Sequence, residues 1–132
     1  MIILDTHIIL WAYNNVGGSQ LRKIPAKIRM ALDSATELGV CDISLWEMAM
    51  LAQKGRITLP SDTGVFFQDL LGRYGVNLLP INPRIAAISG MLQMHGDPAD
   101  RLIAATSVCY DYCLATVDGE LRALDFLKTI QY

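Results

Sequence analysis

Ile2-Ile3-Leu4-Asp5-Thr6-His7 is the stretch from which the rest of the chain can be read. Three consecutive apolar residues are too continuous for a strand with one wet face. Ile2–Leu4 therefore predicts a short strand buried on both sides. Asp5 follows it without a spacer. A carboxylate ending a buried apolar strand is costly unless it is paired, hydrogen-bonded or bound to a cation. The reading is a sheet covered on both faces, with an acid at its carboxyl edge.

Moving outward, Val40–Ile43, Val76–Ile81, Cys113–Val117 and Leu127–Gln131 read as four more strands, and helical patterns separate them. Residues 25–38 carry Ile28, Leu32, Ala35 and Leu38 at helical spacing. Pro25 suits the first turn and Gly39 the C-terminal stop. Ser44-Leu45-Trp46-Glu47 opens a helix that Gly55 ends, and 62–74 forms another before Gly75. Asn82-Pro83 caps a helix carrying Ile85, Ile88 and Leu92. Asp97-Pro98 starts one that reaches Tyr110, and 118–125 forms a short one. Strands alternating with helices imply parallel pairing with helices on both faces. The expected fold is an α/β three-layer sandwich around a central parallel five-stranded sheet. No linker or repeat interrupts it, so residues 1–132 are expected to form a single domain.

Composition narrows the function. Hydrophobic residues make up 52% and charged residues 18% of the chain, which excludes a disordered protein. No apolar run approaches the ~20 residues of a membrane span. The N-terminus lacks the basic start and small-residue cleavage site of a signal peptide. The three cysteines, Cys41, Cys109 and Cys113, form no CxxC pair, which argues against a disulfide framework or a zinc site. A reduced, cytoplasmic compartment is expected. Net charge is −2, so bulk charge does not draw the chain to nucleic acid. Arg22, Lys23, Lys27 and Arg29 make a local basic run. It reads either as a solvated helix face or as a track for RNA phosphates or an acidic partner segment.

Four acids fall at equivalent places in this plan. Asp5 ends the first strand, and Glu47 sits in the first turn after the second. Asp100 sits in the first turn of the helix entering the fourth strand, and Asp118 follows that strand directly. Helix starts lie near the carboxyl ends of parallel strands, where ligands bind. Four carboxylates gathered there would repel one another, and no Lys or Arg adjoins Asp5, Glu47 or Asp118 in sequence. A hard divalent cation answers that charge, since Mg²⁺ takes oxygen ligands and keeps waters for phosphates. Each acid also has a local reading. Ser44-x-x-Glu47 matches a capping box. Asp97 suits an N-cap, with Asp100 as a first-turn partner of the helix dipole. Asp118 could cap its own helix, and Asp5 could form a turn with the following backbone. The coincidence of all four at one edge raises the metal reading.

Five stretches carry a resemblance. They are Leu4-Asp5-Thr6-His7-Ile8-Ile9-Leu10-Trp11, Ile43-Ser44-Leu45-Trp46-Glu47-Met48-Ala49, Gly55-Arg56-Ile57, His95-Gly96-Asp97-Pro98-Ala99-Asp100-Arg101-Leu102-Ile103-Ala104-Ala105-Thr106 and Ala115-Thr116-Val117-Asp118. In order and spacing they resemble the PIN domain, most closely the VapC-type toxins of bacterial toxin–antitoxin pairs. The resemblance implies a parallel five-stranded sheet between helices and an endoribonuclease dependent on Mg²⁺ or Mn²⁺. It implies Asp5, Glu47, Asp100 and Asp118 as catalytic acids and metal ligands. It also implies Thr6 and Thr116 as hydroxyl residues beside the first and fourth acids, where they would meet substrate. Asp97 belongs to the Asp-Pro-x-Asp-Arg stretch without an assigned role. Arg101, beside Asp100, is expected either to pair with Asp97 or to guide a substrate phosphate. His7 and His95 are expected to be structural. The implied partners are an RNA substrate, an antitoxin protein that neutralises the toxin, and a second copy of the chain in a homodimer, with no membrane.

Two other classes remain to be weighed. A phosphoacceptor receiver domain has similar length and order, but needs paired acids after the first strand and an Asp after the third. Here Thr6-His7 follow Asp5, and the third strand runs into Pro80-Ile81-Asn82. A noncatalytic RNA- or protein-binding module on the same fold is the alternative, and the intact acids argue against it.

Overall fold

A computed structural model describes residues 1–132. The elements run β1 (Ile2–Leu4), α1 (Thr6–Tyr13), α2 (Ala26–Ser34), β2 (Leu38–Cys41), α3 (Asp42–Gln53), α4 (Thr63–Gln68), β3 (Asn77–Leu79), α5 (Pro83–Met91), α6 (Pro98–Tyr110), β4 (Cys113–Ala115) and α7 (Gly119–Arg122). All strand pairs are parallel, in the order β3-β2-β1-β4. The chain steps from β1 outward to β3, then returns to lay β4 on the other side of β1. Strand order reverses between β1 and β4, and open α/β sheets bind ligands beyond the carboxyl ends of the strands at such a reversal.

Neighbouring strand residues point to opposite faces, and this builds the two outer layers. Ile3, Cys41 and Leu114 pack on one face with Ile103 and Ala104 of α6 and Leu121 of α7. Leu4, Val40 and Ala115 pack on the other with Ile8 and Ile9 of α1, Ile28 of α2 and Met48 of α3. The expected burial of β1 on both sides is met, and with it the sandwich.

Three local expectations are corrected. The fifth strand shrinks to one bridge between Leu114 and Thr129, so the sheet has four strands. Leu114 N–H donates to the Lys128 carbonyl at 2.8 Å, and Ile130 N–H to the Leu114 carbonyl at 3.0 Å. β4 has only three residues, and only its middle one pairs on that side. Gly39 stops no helix: it lies inside β2, where an added Cβ would come within 2.7 Å of Met1 Sδ and 3.0 Å of Leu79 Cδ1. The glycine is there for close packing, and α2 ends earlier, at Ser34. Ser44 opens no helix either. α3 already begins at Asp42, whose Oδ2 accepts from Ile81 N–H at 3.1 Å and ties the helix start to the chain after β3.

α1 has no sequence signature of its own. Thr6, Ile8, Ile9 and Leu10 are all buried, and a helix covered on most sides shows no polar stripe. The starts of α5 and α6 agree with their cap residues. Asn82 accepts from Ile85 N–H at 2.8 Å, and Asp97 from Asp100 N–H at 3.0 Å. No helix is long and apolar enough to cross a membrane.

Candidate active site

The ends of β1 and β4 are joined through one carboxylate. Asp5 is only 8% exposed. Its Oδ1 accepts from Thr6 N–H at 2.8 Å, and its Oδ2 accepts the Thr116 hydroxyl at 2.6 Å. Thr116 Oγ1 accepts in turn from Asp118 N–H at 3.0 Å. The Thr6 hydroxyl donates to Glu47 Oε1 and lies 2.9 Å from the buried Ser44 Oγ. Glu47 is therefore held from α1 rather than by the start of its own helix, which removes the capping-box reading. Thr6 and Thr116 are both buried and orient the acids, Thr6 from the cleft wall and Thr116 from outside the lining.

Asp118 does cap its helix, its Oδ1 accepting from Glu120 and Leu121 N–H at 2.9 and 3.0 Å. Asp97 caps α6 in the same way. Capping and membership of the cleft are compatible, because a carboxylate has two oxygens and each cap uses Oδ1 alone. Asp5, Glu47, Asp97, Asp100 and Asp118 all line one cleft of about 410 Å³, together with Thr6, His7, Trp11 and Val117. Five acids meet there with no Lys or Arg among the lining residues.

The electrostatic cost is visible at three of them. Burial pushes the Asp5 carboxyl above its ordinary range, and the nearby Asp118 adds to this, against hydrogen bonds from Thr116 and Thr6. Burial also raises Glu47, with Asp5 and Asp97 adding to the rise and the Thr6 hydroxyl opposing it. Asp100 is pushed up to about 7, first by burial and then by Asp97, Asp5 and Asp118. His95 lies close by. Its Nδ1 accepts from Asp97 N–H at 3.2 Å, and its Nε2 sits 3.4 Å from Asp100 Oδ2 and 3.1 Å from Glu120 Oε2. The ring is near both carboxylates but aligned with neither for a hydrogen bond.

Arg101 departs from its expected role. Its Nε donates to the Ser89 carbonyl at 2.9 Å. Nη1 donates to Met94 and His95 at 2.8 and 3.0 Å, and Nη2 to Leu92 at 2.8 Å. Four of its five N–H groups thus hold the last turn of α5 and the chain between α5 and α6. Arg101 neither pairs with Asp97 nor lines the acid cleft. The guanidinium is a backbone clamp, and its expected role as a substrate ligand is withdrawn.

Four lining residues stand outside the expected set, His7, Trp11, Asp97 and Val117. Asp97 contributes charge to the cleft beyond its cap. Trp11 lines it with His7, their rings 5.9 Å apart. Their spacing of four places them on one helix face, a signal available once α1 is known. No three His, Cys, Asp or Glu side chains converge as a ready cage for an ion. The cleft's acidic donors are carboxylate oxygens, the type a hard cation takes, and Asp5, Glu47, Asp100 and Asp118 are the residues that would hold it.

The chain is similar to known proteins over nearly its whole length. The PIN domain family model matches residues 2–127. Ribonuclease VapC22 of Mycobacterium tuberculosis is 33% identical over 124 residues, covering 92% of this chain and 90% of that protein. Among solved structures, FitAcB from Neisseria gonorrhoeae superposes with a TM-score of 0.67 at 24% identity, over 99% of this chain and 97% of that one. VapBC-1 from nontypeable Haemophilus influenzae gives a TM-score of 0.68 at 20% identity, covering 98% and 96%. VapBC2 from Rickettsia felis, bound to a promoter DNA fragment, gives 0.66 at 16% identity, covering 98% and 97%.

Proposed function

The chain belongs to the PIN-domain family, and on that premise we propose that it is a divalent-metal-dependent endoribonuclease toxin neutralised by an antitoxin protein. The similar Mycobacterium tuberculosis protein is a ribonuclease, and solved relatives are toxin–antitoxin complexes. The observation that carries the reading is the cleft itself, with five acids and no lining Lys or Arg. Such a cleft repels a phosphate when empty and attracts a dication.

Asp5 and Asp100 are the residues we assign to Mg²⁺ or Mn²⁺, with Glu47 and Asp118 completing the acidic set. When bound, the cation supplies charge beside the scissile phosphate and lowers the pKa of a water that attacks phosphorus. The protein's share is positioning. Thr116 and the Thr6 amide hold both oxygens of Asp5, and the Thr6 hydroxyl holds Glu47. Asp100, raised to about 7, would give up its proton near neutral pH where a cation is held beside it. Cleavage leaves a 5′-phosphate and a 3′-hydroxyl. In this reading the chain works in the cytoplasm as a homodimer.

The test is purified protein on total RNA with Mn²⁺, with Mg²⁺ and with excess chelator, followed by end mapping. Metal-dependent cuts bearing 5′-phosphates are expected. Cutting that survives chelation overturns the metal assignment. A folded protein that binds Mn²⁺ and never cuts RNA supports the noncatalytic module instead.

A further inference from the structure

A second groove adjoins the acid cleft and shares two of its walls. It measures about 700 Å³, and His7 and Trp11 line both spaces. Pockets that enclose a small ligand run about 300–1,000 Å³. The groove's charge is opposite: Lys23 and Arg56 line it, and no Asp or Glu does. Neither cation is in an ion pair. Lys23 Nζ donates to Gln20 Oε1 at 3.0 Å, and Gln20 Nε2 donates to the Asn14 carbonyl at 3.4 Å, so the lysine is steered without being neutralised. Asn14 is buried and fixes the floor, donating to the Thr58 carbonyl at 3.0 Å. The Trp11 ring is tilted 56° from His7 rather than stacked on it.

An aromatic ring with unpaired cations beyond it is the combination that holds a single nucleic-acid strand. The base stacks and the phosphates meet the charges. We propose that this groove is a nucleotide subsite. It binds the single-stranded RNA flanking the scissile phosphate, with Trp11 stacking a base and Lys23 and Arg56 contacting phosphates. The proposal rests on the nuclease reading above. It adds that the two spaces divide the strand between them, metal answering charge at one and side chains at the other.

Binding tests it apart from cleavage. The parent is the full chain carrying Asp5→Asn and Asp100→Asn, so that RNA survives. The probe is a fluorescein-labelled 12-nucleotide single-stranded RNA followed by anisotropy over a salt series. Adding Lys23→Gln and Arg56→Gln is expected to weaken binding at least tenfold. It should also lower the slope of log affinity against log salt by about 1.4, two phosphate contacts at roughly 0.7 each. Trp11→Leu should weaken binding about 5- to 150-fold, with Trp11→Phe restoring most of it. Because Trp11 packs on the core, its variants count only where melting is unchanged, and the lysine–arginine pair decides otherwise. Unchanged affinity and slope in that pair overturn the proposal and leave the groove to a protein partner. No binding by the parent also overturns it. Wild-type cleavage in Mn²⁺ decides the nuclease reading separately. If wild type never cuts but binding still depends on Lys23 and Arg56, the subsite stands and the nuclease fails.

Discussion

Asp100 and Arg101 are adjacent in α6, and their surroundings are opposite. Asp100 faces a cleft of like charges that drives its carboxyl up to about 7. Arg101 turns away and gives four N–H groups to carbonyls of the last turn of α5 and of the α5–α6 connection. Within one helical turn the chain satisfies most of one charge's hydrogen-bonding demand and leaves the other in deficit. A met electrostatic demand marks a residue that holds the fold. An unmet one, kept in a cleft and repeated at Asp5, Glu47 and Asp100, marks a place where something from outside completes the balance.

The largest expected effect breaks the deficit at its most buried member. Asp5→Asn keeps the shape but removes the charge that would hold a hard cation. RNA cleavage should fall beyond about 100-fold, past the usual loss for a residue that only orients a ligand. Melting should change little, since a costly buried charge leaves along with one hydrogen bond. Near-normal cleavage by a folded Asp5→Asn protein would sink the assignment.

Arg101→Met breaks the satisfied side. Four carbonyls lose a charged donor together, so stability should drop by about 2–3 kcal/mol by denaturant unfolding. Cleavage per folded molecule at low temperature should survive, because Arg101 does not line the cleft. Selective loss of activity from a stable Arg101→Met protein would restore the residue to the substrate site.

The deficit should also be readable as pH dependence. Asp5, Glu47 and Asp100 are all raised in the folded state. A raised acid contributes stability that is complete below its unfolded pKa, near 4, and is lost as pH rises through the folded value. For Asp100 that window is about pH 4 to 7. Metal-free protein should therefore melt lower at pH 7.5 than at pH 5.5. Mn²⁺ should add stability chiefly at the higher pH, where the acids are charged and binding is strongest. Equal Mn²⁺ stabilisation at both pH values would contradict a carboxylate site.

What could be read from sequence divides along the same line. The caps at Asn82, Asp97 and Asp118 are legible because a cap reaches only two or three residues. The shared edge of the acids is legible because alternating strands and helices fix where strand ends lie. The bonds that orient them are not. Thr6 meets Glu47 across 41 residues and Thr116 meets Asp5 across 111, and no local pattern carries such distances. Arg101 misleads because its partners are backbone carbonyls, which look the same under every sequence. Gly39 misleads because its reason is Met1 and Leu79 pressed against it from elsewhere in the chain. The missing fifth strand is a matter of hydrogen bonds rather than composition, since Leu127 and Thr129 are buried as a strand's residues would be.

The smallest effect expected is at Asp97, which sits on both sides of the comparison. As a cap it is satisfied, accepting from Asp100 N–H at 3.0 Å. As a charge in the cleft it adds to the deficit, raising both Asp100 and Glu47. Two substitutions separate the roles. Asp97→Ala removes cap and charge together. The cap loss costs about 0.5–2 kcal/mol, offset in metal-free protein by relieved repulsion. Asp97→Asn keeps a cap of equal quality and removes only the charge. Metal-free Asp97→Asn should therefore melt at or above wild type, with Asp97→Ala below it. In saturating Mn²⁺ the repulsion is already neutralised, so the gain of Asp97→Asn should vanish and the loss of Asp97→Ala should deepen. Melting curves of the three proteins with and without Mn²⁺ give the answer. If Asp97→Asn destabilises the metal-free protein as much as Asp97→Ala does, the carboxylate's charge is helping the helix start more than it burdens the cleft. Asp97 would then belong with Arg101 among the residues that hold the fold.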